Sequence, residues 1–123
     1  MLLLMYNNEQ LSIYSIVYFI MENTPQDSCL DEHTAARVAE IFRTFSDTSR
    51  VRILSVIVQK ELNISTLAKI VGITESAISH HMRGLRQMRI VQARRDGKEV
   101  YYSVDDPHII ALFQQGVKHV VEE

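Results

Sequence analysis

Residues Ser65 to Arg86 read STLAKIVGITESAISHHMRGLR, and the fold is decided in this stretch. Leu67, Ala68, Ile70 and Val71 fall at helical spacing, and Gly72 follows where a helix end takes a left-handed residue. Ser65 is a fitting N-cap for this first short helix. Thr74 caps a second helix, with Glu75 in its first turn, where a negative charge suits the macrodipole. That second helix carries two stripes. Ile78, Met82 and Leu85 make one, built for burial; Ser76, Ser79, His80 and Arg83 make the other, built for exposure. Two short helices joined by a tight turn containing Gly are a helix-turn-helix.

The flanks complete the architecture. Upstream, Ala35, Val38, Ala39, Phe42 and Phe45 predict a helix over Leu30 to Phe45. Asp47 then caps a helix running to about Lys60. Its Val51, Ile53, Leu54, Val56, Ile57 and Val58 leave so little polar face that it reads as a central core element. Downstream, Val91 to Arg95 and Lys98 to Val104 read as strands joined at Asp96-Gly97, which would set Arg94 opposite Glu99. Asp106 caps a last helix that opens with Pro107 and runs to near the C-terminus. The predicted class is mainly α with a small β-hairpin: a winged helix-turn-helix over residues 30–123, behind an extension at 1–29.

In that extension Leu2 to Met5 and Leu11 to Met21 are apolar, but Asn7 to Gln10 divide them. Neither run reaches the roughly 18 residues a membrane span requires, and no basic leader precedes them, so neither membrane nor secretion is expected. Two readings stay open: an extra element packed on a dimer, or a start codon placed too early, with Met21 the true start. Asn23 to Ser28, with Pro25, reads as a linker. The single cysteine, Cys29, excludes an internal disulfide and any all-cysteine metal cluster within one chain, and fits the reducing cytoplasm.

The net charge of −2 does not by itself announce a polyanionic partner, but its distribution does. Between His80 and Lys98 six basic residues stand against Asp96 alone, a local +5 that leaves −7 for the rest. A basic segment on an acidic body is the footprint of a nucleic-acid binder. The second helix of a helix-turn-helix enters the major groove of duplex DNA by its N-terminal residues, here Glu75, Ser76, Ser79 and His80. Ser76, Ser79 and His80 carry hydroxyls and a ring suited to base edges. Arg83 and Arg86 lie farther along and suit phosphates, which set affinity and position but not sequence. Arg94, Arg95 and Lys98 at the hairpin tip would lie along the neighbouring groove.

The last helix carries a separate pattern. His108 and His119 are eleven residues apart, close to three turns, and so share a face; Glu122 follows His119 by three. Eleven residues of helix span about 16 Å, too far for one ion. A metal site from Asp106, His108, His119 and Glu122 therefore requires a second, antiparallel copy, and a two-fold dimer would hold two such sites. Two imidazoles and two carboxylates suit tetrahedral Zn(II); Co(II) fits the same cage, and Ni(II) usually asks for more ligands.

The segments FSDTSRVRILSVI (45–57), ELNISTLAKIVGITESAISHHMRGLRQMRIVQARRDGKEVYYSVDDPHIIALF (61–113) and KHVVEE (118–123) resemble the ArsR/SmtB family of metal-sensing repressors, and more closely its zinc-sensing branch. The resemblance covers about Ala35 to Glu123. It implies a dimer that binds operator DNA when metal-free and leaves it when metal binds. It also implies that the family's C-terminal-helix zinc ligands fall on Asp106, His108, His119 and Glu122. The family's second, thiolate-rich site has no counterpart here, because Glu61 to Thr66 contain no cysteine; arsenic, antimony, cadmium and lead sensing through that site are not implied. Cys29 and His33, at i and i+4, are the one remaining thiol–imidazole pair.

The expected partners are double-stranded operator DNA and a second copy of the chain, with no membrane and no small-molecule substrate. No nucleophile–base arrangement or phosphate loop is present, so no enzymatic activity is expected. A repressor of the same type that answers a non-metal signal, or Co(II) or Ni(II), is the alternative.

Overall fold

The structure is a computed structural model that describes residues 13–23 and 28–122. The element order is α1 (Ile13–Asn23), α2 (Glu32–Phe45), α3 (Thr48–Ile57), β1 (Leu62–Asn63), α4 (Ile64–Val71), α5 (Glu75–Gln87), β2 (Gln92–Asp96), β3 (Glu99–Ser103) and α6 (Pro107–Val121). Two compact units divide the chain. Asp31–Asp105 form one; the described residues before Asp31 and from Asp106 on group into the other. The linker expected at Asn23 to Ser28 lies mostly outside the described residues, as does the apolar run before Ile13.

In the Asp31–Asp105 unit, each helix begins at a side chain that satisfies an otherwise orphaned amide. Asp31 accepts from the Thr34 amide, Asp47 from Arg50, and Thr74 from Ala77. The cap of α4 differs from the expectation. Asn63, not Ser65, is the N-cap, accepting from the Thr66 amide at 2.9 Å. Its extended backbone also pairs with Tyr101, so one residue ends a strand and starts a helix. Gly72 closes α4 at φ 80°, the left-handed conformation glycine adopts freely.

The end of α5 is built without glycine. Arg89 sits at φ 57° while its amide donates to Arg86 O and that of Ile90 to Leu85 O, the paired bonds of a Schellman motif.

The core of this unit joins three helices to the sheet. Ile53, Leu54 and Ile57 of α3, Leu67 of α4, and Ile78, Met82 and Leu85 of α5 are essentially inaccessible, as is Ile90 beyond it. Each such side chain stabilises the fold by about 1.5–3 kcal/mol of transfer free energy. The buried stripe expected on α5 is therefore the structural one. Helix α3 is less central than its composition implied. It ends at Ile57 rather than near Lys60, and Val51 is exposed, so only one face is buried within this chain. Val38 and Phe42, two of the apolar positions whose spacing predicted α2, are exposed too.

The wing is a three-stranded antiparallel sheet in the order β1-β3-β2, not a bare hairpin. Its register also differs from the expected one: Asp96 pairs with Glu99, and Arg94 faces Tyr101. The two-residue loop is thus Gly97-Lys98, with glycine first at φ 63°, the position a type II′ hairpin reserves for it.

In the other unit, α1 touches α6. Helix α6 starts as expected, with Asp106 as N-cap and Pro107 in the first turn, and Glu122 stands at its C-cap. Among the described residues no helix is long and apolar enough to cross a membrane.

Candidate functional site

The three-residue turn Gly72-Ile73-Thr74 sets α5 against α4 so that Ile78, Met82 and Leu85 face the core. The opposite face is left to solvent. Ser76, His80, Arg83 and Arg86 are exposed and Ser79 is half-buried. Ser79, Arg83 and Arg86 line one open depression together with Gln87 and Tyr102. Gln87 and Tyr102 were not singled out from sequence. Strand alternation brings in Tyr102, the inward-facing residue of β3 next to α5. His80 and His81, adjacent in sequence, differ in burial although their rings meet edge to face, centres 5.9 Å apart: His80 is exposed, and His81 is half-buried toward Asp47, its Nδ1 4.0 Å from Asp47 Oδ1.

The wing cations separate. Because side chains alternate along a strand, Arg95 shares a sheet face with Ala93, Val100 and Tyr102, and so with the α5 depression. Arg94 lies on the other face. There its Nη2 and Nε grip the Glu61 carboxylate at 2.6 and 3.2 Å, and its guanidinium lies 4.9 Å from the Tyr101 ring centre. Hydrogen bonding from Arg94 holds the Glu61 carboxyl below its usual range and pushes the Arg94 guanidinium further up. A fork-on-carboxylate pair of this kind is the strong form of an ion pair. Lys98 stands exposed in the loop at the tip.

On α6, the Asp106 carboxylate accepts two hydrogen bonds from one residue, His108: its amide at 2.8 Å and its ring Nδ1 at 2.9 Å. Partial burial pushes the Asp106 carboxyl up, but the hydrogen bonds from the His108 ring and amide outweigh it and leave it below its ordinary value. An ionised carboxylate can only accept, so Nδ1 carries the proton in this contact. His119 and Glu122 are exposed at the opposite end of the same helix. Among the described residues, no three His, Cys, Asp or Glu side chains gather around one point. Asp106 and His108 thus place one carboxylate and one imidazole side by side, donors of the kinds Zn(II) takes. Cys29 and His33 are both exposed, but the helix starts only at Glu32, so the i, i+4 relation expected of them is not helical.

Residues 47–93 match the family described as "Bacterial regulatory protein, arsR family". A transcriptional repressor SmtB homolog of Synechocystis is 39% identical over 98 residues, 80% of this chain and 73% of that protein. The chain belongs to the ArsR family. Among solved structures similar to this ArsR-family chain is the AntR antimony-specific transcriptional repressor, at TM-score 0.71 and 27% identity over 81% of this chain and 94% of that one. Another is a homodimeric winged helix-turn-helix DNA-binding domain from Mycobacterium bovis, at TM-score 0.66 and 25% identity, covering 78% of this chain and 91% of that one. The winged helix-turn-helix read from the sequence is the fold of these proteins. The match to the family spans the caps at Asp47, Asn63 and Thr74, the Gly72 turn, strand β1 and the first two residues of β2.

Proposed function

We propose that the chain is a metal-responsive transcriptional repressor that binds operator DNA as a homodimer and is released when Zn(II) binds between its α6 helices. The observation that carries the DNA half is the exposed face of α5, where Ser79, Arg83, Arg86 and Gln87 meet Tyr102 around one open depression while the reverse face is locked in the core. Ser76, Ser79 and His80 read base edges from the N-terminal half of α5, and Arg83, Arg86, Arg95 and Lys98 hold phosphates. In a dimer the two α5 helices address successive major grooves about 34 Å apart.

The metal half rests on the Asp106–His108 pair. In each of two symmetric sites, Asp106 and His108 of one copy and His119 and Glu122 of the other complete four ligands. When bound, zinc supplies a crosslink between the two α6 helices. The chain's own part is to present the donors: the capping bond fixes the Asp106 oxygen, and the carboxylate fixes the His108 ring. Both holds are local to the helix start and keep the two donors side by side before any ion arrives; because the Asp106 carboxylate is bonded to His108 Nδ1, that bond must open for both to reach one ion. The antimony specificity of the AntR relative is not carried over, because residues 61–66 offer no thiolate.

A titration of operator DNA into the purified protein, with and without Zn(II), Co(II) and Ni(II), tests the reading. Zinc should weaken binding by at least about tenfold, within the usual range of allosteric coupling. DNA binding that is indifferent to all three metals would leave a repressor with another signal, and no DNA binding at all would refute both halves.

A further inference from the structure

The back of α5 rests on a cation held by no close ion pair among the described residues. Arg50, in the first turn of α3, sends Nη1 to the Thr44 carbonyl at the end of α2, 3.3 Å away. Its Nε is buried with no hydrogen-bond partner, and among the described residues no carboxylate lies within ion-pair distance of the guanidinium. The Asp47 carboxylate next to it is taken up by the Arg50 amide and faces His81. On α5 the guanidinium meets Gly84: a Cβ there would lie 2.9 Å from Nη2 and 3.4 Å from Cζ. Helices disfavour glycine, so a glycine inside α5 is costly unless something needs the space. Here the plane of Arg50 occupies it.

We infer that Arg50 is a positioning residue for the DNA-reading helix, wedged between the end of α2 and the backbone of α5 at Gly84. An arginine plane held against one helix while bonded to another fixes the distance and rotation between them. His81, one turn before Gly84, borders the same seam, while Ser79 and Arg83 line the open depression round the helix from it. Placement of α5 by the Arg50 wedge therefore sets where those side chains reach, without Arg50 touching DNA. The inference rests on the DNA-binding reading of α5.

The test uses the full chain and a duplex selected by the wild-type protein from a random-sequence pool, with affinity measured across a range of salt. Arg50→Met keeps the stem but removes the donors; it should weaken binding by about tenfold, the scale of coupling between contacting groups, and leave the salt slope unchanged. Gly84→Ala should weaken the wild-type protein, because the new methyl displaces the guanidinium, yet add nothing in the Arg50→Met background. Its melting temperature should not fall, since alanine is the better helix former and the displaced group is the end of a flexible side chain. If Arg50→Met fails to fold, Gly84→Ala alone carries the test: weaker DNA binding at undiminished stability supports the wedge. A salt slope reduced by about one in Arg50→Met would make Arg50 a phosphate contact and overturn the inference. So would multiplicative effects of the two substitutions, or variants that bind like the wild type. A wild-type protein that binds no duplex would overturn the DNA-binding reading and this inference together.

Discussion

The Asp106 carboxylate is bound twice by His108, through the backbone amide at 2.8 Å and through ring Nδ1 at 2.9 Å. The same oxygen therefore starts α6 and orients an imidazole. The two roles separate by substitution. Asparagine caps a helix about as well as aspartate but carries no charge for a metal. Asp106→Asn should stay within about 0.5 kcal/mol of wild-type stability and still bind DNA, while zinc no longer releases it. His119→Ala, at the exposed far end of α6, should behave the same way. Zinc-dependent release by either variant, followed by fluorescence anisotropy of labelled DNA, would remove that residue from the site.

Arg94 and Arg95, adjacent in the wing, should differ in kind. Arg95 shares the sheet face of Tyr102 and the α5 depression, whereas Arg94 is gripped by Glu61 on the other face. Arg95→Ala is predicted to lower the salt slope of DNA binding by about one, and Arg94→Ala to leave it near the wild-type value. Equal slopes for the two variants would contradict this division.

Asp47 gives a pH prediction. Its carboxyl is held below the ordinary range, first by the hydrogen bond from the Arg50 amide and also by the nearby His81 and Arg50 charges, against the opposing effect of burial. A depressed value in the folded state means that the unfolded state binds the proton more readily. The stabilisation is therefore complete above the unfolded value, near pH 4, and is lost as pH falls through the folded one. Asp47→Ala should cost about 1 kcal/mol at neutral pH, and chemical denaturation should show that difference shrinking below about pH 4. A cost that persists undiminished in acid would mean that the cap is not what Asp47 contributes.

Much of this was legible in the sequence because it is local. The two stripes of α5, the Gly72 turn, and the caps at Asp47, Thr74 and Asp106 each follow from residues within one or two turns of each other. What was missed depends on distant pairing. Strand β1 is two residues long and exists only because Leu62 and Asn63 meet Tyr102 and Tyr101; no two-residue pattern announces that. The same pairing moves the α4 cap back to Asn63. An Asp-Gly step marks a hairpin, but glycine can take either loop position, and that one-residue choice decided whether Arg94 met Glu99 or Tyr101. The Arg94–Glu61 bond spans 33 positions and had no local signal. The exposed Val38 and Phe42 of α2 carry helical periodicity without burial in this chain, which fits faces that a second copy covers in the proposed dimer.

The central claim is that one metal site takes its halves from two chains, and mixing two inactive variants tests it directly. One variant carries Asp106→Ala and His108→Ala; the other carries His119→Ala and Glu122→Ala. Neither alone can assemble a site. After the two are unfolded together and refolded as a mixture, each heterodimer pairs the intact Asp106 and His108 of one chain with the intact His119 and Glu122 of the other. A zinc titration of the mixture should therefore recover about a quarter of the wild-type capacity, since half of the dimers are mixed and each holds one site of two. Recovery of none, with wild-type binding intact, would contradict a site shared between chains.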